Sequence, residues 1–416
     1  MNRKNLLLHS FACTLFVFVF MALIRVLPAT FEFLNPLSDA LSDIEVTDLA
    51  GKLRDGKTDS EGIQLSSVAI DTNIVLVNIG WQPNDVLAQM VNNINAGQPF
   101  LIGIDAEFRA ESRARAFKDK DSLLADAFSR VKQLVLVNKL HFSPETNACD
   151  TVFNPIPAFR QYATTAYANL ITENDANKPM TSRDITPQEK FGDSSLLSFP
   201  VLISQRLDKN KTAKFIARNN ATEVINYTRR QDDYLVLDVA DVYDMAPEEA
   251  LATFRGKTVL MGFMGGDISG ADKSAVDKFF TPMNPVYAGK AYPDMYGVVI
   301  HANVISMILE QNFIDEMPDF MAIITGVLIC LLNMTYFMYV HLYKSQWYDL
   351  ITKSIQFAES IVLIFVIVIV FDKFHYKLDL TVGLAALLLS GDLLEVYTTL
   401  TRNLFGMKER NDNFTS

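Results

Sequence analysis

Four long apolar runs constrain this chain more than any other feature. Residues 6–27 read LLLHSFACTLFVFVFMALIRVL behind Arg3 and Lys4. About 20 apolar residues rising ~1.5 Å each cross a hydrocarbon core ~30 Å thick. No small-x-small cleavage pattern follows, since Pro28, Ala29, Thr30 and Phe31 come next, so the run reads as an uncleaved anchor rather than a signal peptide. Three further runs lie near the C-terminus: 320–343, 355–371 with IVLIFVIVIVF inside it, and 378–397 with LTVGLAALLLSGDLLEVY. The last two are shorter or carry carboxylates, and each alone also suits a buried core helix. Clustered with brief polar connections, they read as spans, giving four.

Lys and Arg positions set the expected orientation. With a cytoplasmic N-terminus, the inner flanks hold Arg3, Lys4, Lys344, Lys353, Arg402, Lys408 and Arg410, and the outer ones only Lys373, Lys377 and Arg25. Both termini are therefore expected in the cytoplasm, with the central part outside, periplasmic or extracellular. A bacterial inner membrane fits best. The expected divisions are 1–27 (cytoplasmic end and anchor), 28–319 (extracytoplasmic domain), 320–400 (three-span bundle) and 401–416 (short cytoplasmic tail).

Charge follows the same partition. The chain holds 37 Lys and Arg against 48 Asp and Glu, net −11, and residues 28–319 alone hold 27 against 40. No basic surplus exists to neutralise phosphates, so nucleic acid is excluded as a partner. Half the residues are apolar, ample for a core. Cys13 and Cys330 fall in apolar runs, leaving Cys149 alone in the central domain, where no intradomain disulfide can form.

The central domain alternates strands and helices. NIVLVNIG (73–80) is a continuous β-branched run suited to a buried parallel strand. Val86, Leu87, Met90, Val91 and Ile94 have helical spacing, with Gly97 as a stop, and PFLIGIDAEF (99–108) supplies a second strand. A helix over 121–131 and a strand at 133–138 follow. Residues 141–160 read as loop, 166–171 as a short strand and 196–207 as a helix. Strand-like stretches come at 223–228 and 234–242, then a helix at 247–254 and the buried strand KTVLMGFM (257–264). YGVVIHANVISMILEQNFI (296–314) reads as a helix running towards the second span. The expected class is α/β, a mainly parallel sheet plus four transmembrane helices.

FRGKTVLMGFMGGDISGADK with FFTP (254–282) and YGVVIHANVISMIL (296–309) together resemble the type-two CHASE family, the cyclase- and histidine-kinase-associated sensory extracellular domains. Weaker echoes are GIDAEF (103–108), DSLLADAF (121–128), YANL (167–170) and INY (225–227). The plan is similar too: one anchor, an outer domain and three following spans. One departure is that Trp81, Gln82 and Pro83 stand where the family carries a longer Trp-Pro-Trp and Arg turn. The resemblance implies a sensor. Members often continue into a kinase or cyclase, whereas only a short tail follows the last span here, so a separate effector is expected.

Candidate residues are weighed against plainer roles. Gly256-Lys257-Thr258 precedes its strand and lacks the Gly five positions earlier, so it is no phosphate loop. The loop GGDISGADKSAVD (265–277) spaces Asp267, Asp272 and Asp277 evenly; it fails the EF-hand pattern and reads as a turn or a ligand-lining loop. Asp105 and Glu107 share one strand face and suit a polar ligand, a cation or a helix cap. His301 could hold a ligand, though an internal hydrogen bond is its commoner role. Five scattered His give no metal cluster, and no catalytic constellation emerges, so neither a metal, a cofactor nor an enzyme is expected.

Within the apolar runs, Asn333, Glu359, Asp392 and Glu395 are unusual, because an exposed intramembrane carboxylate costs several kcal/mol. Asp392 and Glu395 share a helix face. That face is expected to be buried, within the bundle or against a partner's spans. The leading expectation is a sensor without its own effector, working through a protein partner or a homo-oligomer joined by its spans, with a small-molecule ligand. The alternative is a structural scaffold subunit that uses the fold for protein–protein contact.

Overall fold

A computed structural model describes residues 3–26, 70–109, 120–143, 145–146, 148–172, 180–266, 276–284, 292–343 and 345–405. A short helix read through 37–49, and the loop carboxylates Asp267 and Asp272, lie outside the described residues. Two compact units divide the chain: Met1–Ala50 with Asp315–Ser416, and Gly51–Ile314.

In the second unit, helices and strands alternate: β1 (Asp71–Asn78), α2 (Asn84–Ala96), β2 (Leu101–Asp105), α3 (Asp121–Ser129), β3 (Leu134–Phe142), β4 (Cys149–Phe153), α4 (Pro157–Arg160) and β5 (Thr164–Tyr167). Then come β6 (Asp184–Ile185), the hairpin β7 (Gln188–Phe191) and β8 (Ser194–Leu197), α5 (Phe199–Leu207), α6 (Lys209–Ala217) and β9 (Glu223–Val224). The unit closes with β10 (Tyr234–Leu237), α7 (Val239–Tyr243), α8 (Pro247–Phe254), β11 (Thr258–Gly262), β12 (Lys278–Phe279), β13 (Met295–Tyr296) and α9 (Gly297–Glu310).

The main sheet runs β10-β1-β11-β2-β3-β4, with β5 also on β3. All pairings are parallel except β3–β4. Every residue of β11 is buried, so its alternating side chains are covered on both faces. The apolar run dictates that arrangement, because only a sheet sandwiched by helices buries five consecutive strand positions. Gly262 at the end of β11 lets α9 close in: a Cβ there would lie 2.6 Å from Val298 Cβ.

Several local expectations are corrected. Gly97 does stop α2, but in the right-handed conformation at φ −73°, and Gln98 takes the positive φ. The small size of Gly97 serves packing, since a Cβ would fall 2.3 Å from the Ala250 carbonyl oxygen. Residues 141–160 are not all loop but include β4 and α4. The stretch 234–242 is broken at Asp238, whose Oδ1 accepts from Val239 N at 2.8 Å and starts α7. The strand expected at 223–228 reduces to two residues. Helix α6 was unmarked by apolar periodicity, since only Thr212 and Phe215 are buried; Asp208 caps it by accepting from Asn210 and Lys211 N–H groups. Finally, α9 does not run unbroken towards the next span, because Gln311 caps it in the left-handed conformation.

The first unit holds α1 (Arg3–Val26), β14 (Asp315–Glu316), α10 (Asp319–Tyr343), α11 (Tyr348–Phe374), β15 (Tyr376–Lys377) and α12 (Thr381–Phe405). All four helices are long and apolar enough to cross a membrane. They make this a multi-pass membrane protein. Leu15, Leu328, Leu332, Phe357 and Phe365 are exposed on their outer surfaces, as lipid contact requires. Gly326 and Gly383 bring α10 and α12 together, a Cβ on either lying 3.3 Å from the other's Cα. The buried Gln356 amide donates to Leu387 O at 2.8 Å and Leu388 O at 3.0 Å, and Tyr348 Oη donates to Gly391 O at 2.8 Å. β14 pairs in parallel with β15, Asp315 N donating to His375 O at 2.9 Å.

The expectation of a buried Asp392–Glu395 face is corrected within this chain. Both residues are exposed, and Asp392 accepts from Lys353 Nζ at 2.6 and 2.8 Å. The faces beside them, Gly391, Leu393 and Leu394, point inward instead.

Candidate functional site

β2 and β3 run side by side and diverge where their polar residues begin. Asp105 ends β2; Asn138 and Lys139 follow Leu136, the last β3 residue paired with β2. Around these ends the turn after β5 (Ala168–Leu170), Asp277, Phe279 and the first turns of α9 (Gly297, His301) enclose a cavity of about 430 Å³. That volume suits a small molecule. Its position, at the carboxyl edge of a parallel sheet, is where open α/β folds hold ligands.

Asp277 reaches the site through a left-handed backbone, φ 53°, which Asp tolerates better than most residues. Its carbonyl accepts from Gly297 N at 3.1 Å, and its Oδ1 lies 3.3 Å from where a Gly297 Cβ would stand. The carboxyl is thus placed against the start of α9. His301 sits one turn further on, fully buried. Its Nε2 is 3.7 Å from Asp105 Oδ2, too far for a hydrogen bond, and its Nδ1 has no partner. The Phe199 ring, 5.4 Å away edge-on, packs beside it. The expected internal hydrogen bond of His301 is therefore absent among the described residues. Asn138 Oδ1 is likewise buried without a partner.

Burial pushes the Asp105 carboxyl well above the usual range, helped by the charges of Asp277 and Glu107. Burial and Glu107 raise Asp277 to about 7, against the opposing pull of Lys139. Burial holds His301 down to about 3. Burial thus disfavours charge on both Asp105 and His301, which face one another across the cavity. Glu107 is engaged by Arg109, and by Lys139 Nζ at 3.6 Å.

Asp105, Glu107 and His301, separated in sequence, thus meet in one cavity. Asn138 and Lys139 escaped sequence reading because they stand at and just past the end of what scans as a plain strand, 133–138. Asp277 was visible only as the third evenly spaced loop carboxylate. No group of three or more metal-ligating side chains occurs among the described residues.

The intramembrane residues do not converge on one site. Asn333 is buried, donates to Ile329 O at 3.2 Å and reaches Glu359. Asp392 pairs with Lys353 on the surface, and Glu395 is exposed.

An α/β domain with a polar cavity, carried on a chain with one span before it and three after, defines a receptor-like membrane protein. The CHASE2 domain family matches residues 15–339. The chain belongs to that family of sensory extracellular domains. No curated protein and no solved structure matches it.

Proposed function

We propose that this protein is a sensor of the bacterial inner membrane, with residues 28–319 outside the cytoplasm and both termini within it. The cavity at the carboxyl edge of the sheet receives a small polar ligand. The observation that carries this reading is His301: a buried, unpartnered side chain that lines the cavity from α9, the helix whose chain leads into α10. A ligand with different affinity for two positions of α9 would shift the balance between them. The signal then passes along residues 311–318 into the spans and on to a separate protein partner. The surplus of Lys and Arg on one side of the spans supports the orientation.

Hydrogen exchange on the full-length protein in lipid nanodiscs tests transmission. The protein is titrated with a panel of amines, amino acids, dicarboxylates and sugars. A ligand that protects the β2 end and the start of α9 is expected also to change exchange across 311–318. Protection confined to the cavity would break the reading. A reporter active only outside the cytoplasm, fused after residue 200, is expected to score; activity of a cytosol-only reporter there reverses the topology.

A further inference from the structure

The polar groups that line the cavity without partners are acceptors or neutral groups able to accept. Asn138 Oδ1 is buried and unpaired while its Nδ2 donates to Asn154 Oδ1 at 3.5 Å. His301 is buried, and neither ring nitrogen makes a hydrogen bond. Asp105 and Asp277 add two carboxyls close enough to influence each other. The cationic side chains nearby turn to Glu107, Arg109 by a hydrogen bond and Lys139 by a looser ion pair at 3.6 Å. The one other amide in the lining, Asn169, is spent on the backbone, accepting from Leu140 N at 2.8 Å and donating to Leu140 O at 2.9 Å. Donors for an anion or a sugar are therefore scarce, the Thr172 hydroxyl apart, while several acceptors for a donor-rich cation line the same cavity. Val137, Ala168, Leu170 and Phe279 line the remainder and suit a short hydrocarbon chain.

We propose that the cavity binds a small aliphatic primary amine as its cation, the ammonium held by the carboxylates of Asp105 and Asp277 and the Asn138 side-chain oxygen, with His301 facing it. Three N–H donors call for about three acceptors in a fixed arrangement, which this lining supplies. This rests on the sensor reading above and names its ligand class. Binding is linked to protons. The groups facing Asp277 and Asp105 are Glu107 beyond β2, Lys139 on β3, and His301 on α9. Near neutrality Asp277 is part-protonated. An arriving ammonium requires both carboxylates ionised, so protons leave to solvent and affinity rises with pH through that range.

Isothermal titration of the full-length protein in nanodiscs tests this with butylamine, tetramethylammonium and butyrate. Butylamine is expected to bind, with a heat that varies with the buffer's ionisation enthalpy and reports proton release. Tetramethylammonium, which has charge but no N–H, is expected to bind at least about tenfold more weakly. Asp277→Asn keeps a residue suited to the left-handed turn and is expected to weaken butylamine about tenfold or more. Should that variant fail to fold, Asp105→Asn and the buffer dependence of the unaltered protein carry the same information. Absence of butylamine binding at millimolar concentration overturns the proposal, as does equal binding of tetramethylammonium. Saturable butyrate binding without butylamine binding overturns the amine class while leaving the sensor reading intact. Butylamine binding that leaves exchange across 311–318 unchanged keeps the amine site and breaks the sensor reading.

Discussion

Gln356 and His301 are both buried polar side chains on long helices, one in each unit. Gln356 meets two carbonyls of the neighbouring helix and Ser390 Oγ at 3.4 Å, so its desolvation is compensated. His301 makes no hydrogen bond among the described residues, its Nε2 stopping 3.7 Å from Asp105. A satisfied buried amide fixes the pairing of two helices; an unsatisfied buried imidazole weakens its own fold by the cost of an unmade hydrogen bond. Chains keep such a deficit chiefly where function needs it. The two helices thus differ: the buried amide on α11 is compensated, and the buried imidazole on α9 is not.

Four measurements break or sharpen this contrast. Gln356→Ala should lower the stability of the detergent-solubilised protein by about 2 kcal/mol, combining lost hydrogen bonds with a cavity. A neutral result in thermal unfolding would remove the distinction. His301→Leu should do the opposite, raising stability by about 1–2 kcal/mol while abolishing ligand protection of α9, because an unpaired polar group is replaced by an apolar one of similar size. Destabilisation would mean the imidazole is structurally paired.

The third measurement is pH dependence. Asp277 holds its proton to about 7 in the fold against an ordinary 3.8, so the folded state binds that proton more tightly than the unfolded chain. Its stability contribution, relative to Asp277→Asn, is present at low pH and is lost as pH rises towards about 7, by on the order of 1 kcal/mol after allowance for partial exposure. His301 has the reverse sign. Neutral in the fold down to about 3, it contributes stability above 6.5 that is lost as pH falls. The unaltered protein should therefore lose ground to His301→Leu on acidification and gain ground on Asp277→Asn. Parallel unfolding curves across about pH 4 to 8 would refute the opposite shifts of Asp277 and His301. The smallest effect belongs to Asp392→Leu. Its exposed pair with Lys353 should contribute under about 0.5 kcal/mol to the isolated chain. A larger loss, or dissociation of a complex on native gels, would place that face against another protein.

Legibility in the sequence followed the length of the physical signal. The β-branched runs of β1, β2 and β11 and the apolar helices announced themselves, because burial on both faces or in lipid demands unbroken apolar stretches. Asp238 shows the opposite case: YLVLDVADV scans as one strand, yet a single carboxylate accepting from the next N–H groups turns it into a helix. Helix α6, KNKTAKFIA, buries too little to show a stripe. At the site, Asp105 and Glu107 were readable from their alternation at a strand end. Asn138 was not, since nothing local distinguishes an unpaired amide from a paired one. For Asp392 the shared helix face was readable and its placement outside this chain's own bundle was not: two positions on one face cannot tell inside from outside without knowing where Gly326 and Gly383 bring the neighbouring helices together.

The small pairing of Asp315–Glu316 with Tyr376–Lys377 has a mechanical consequence. Those two residues lead directly into α10, while their hydrogen-bonded partners form the bend between α11 and α12. Tension on the chain at residue 315 is thereby shared as by a yoke, drawing on three membrane helices together instead of tugging a single one.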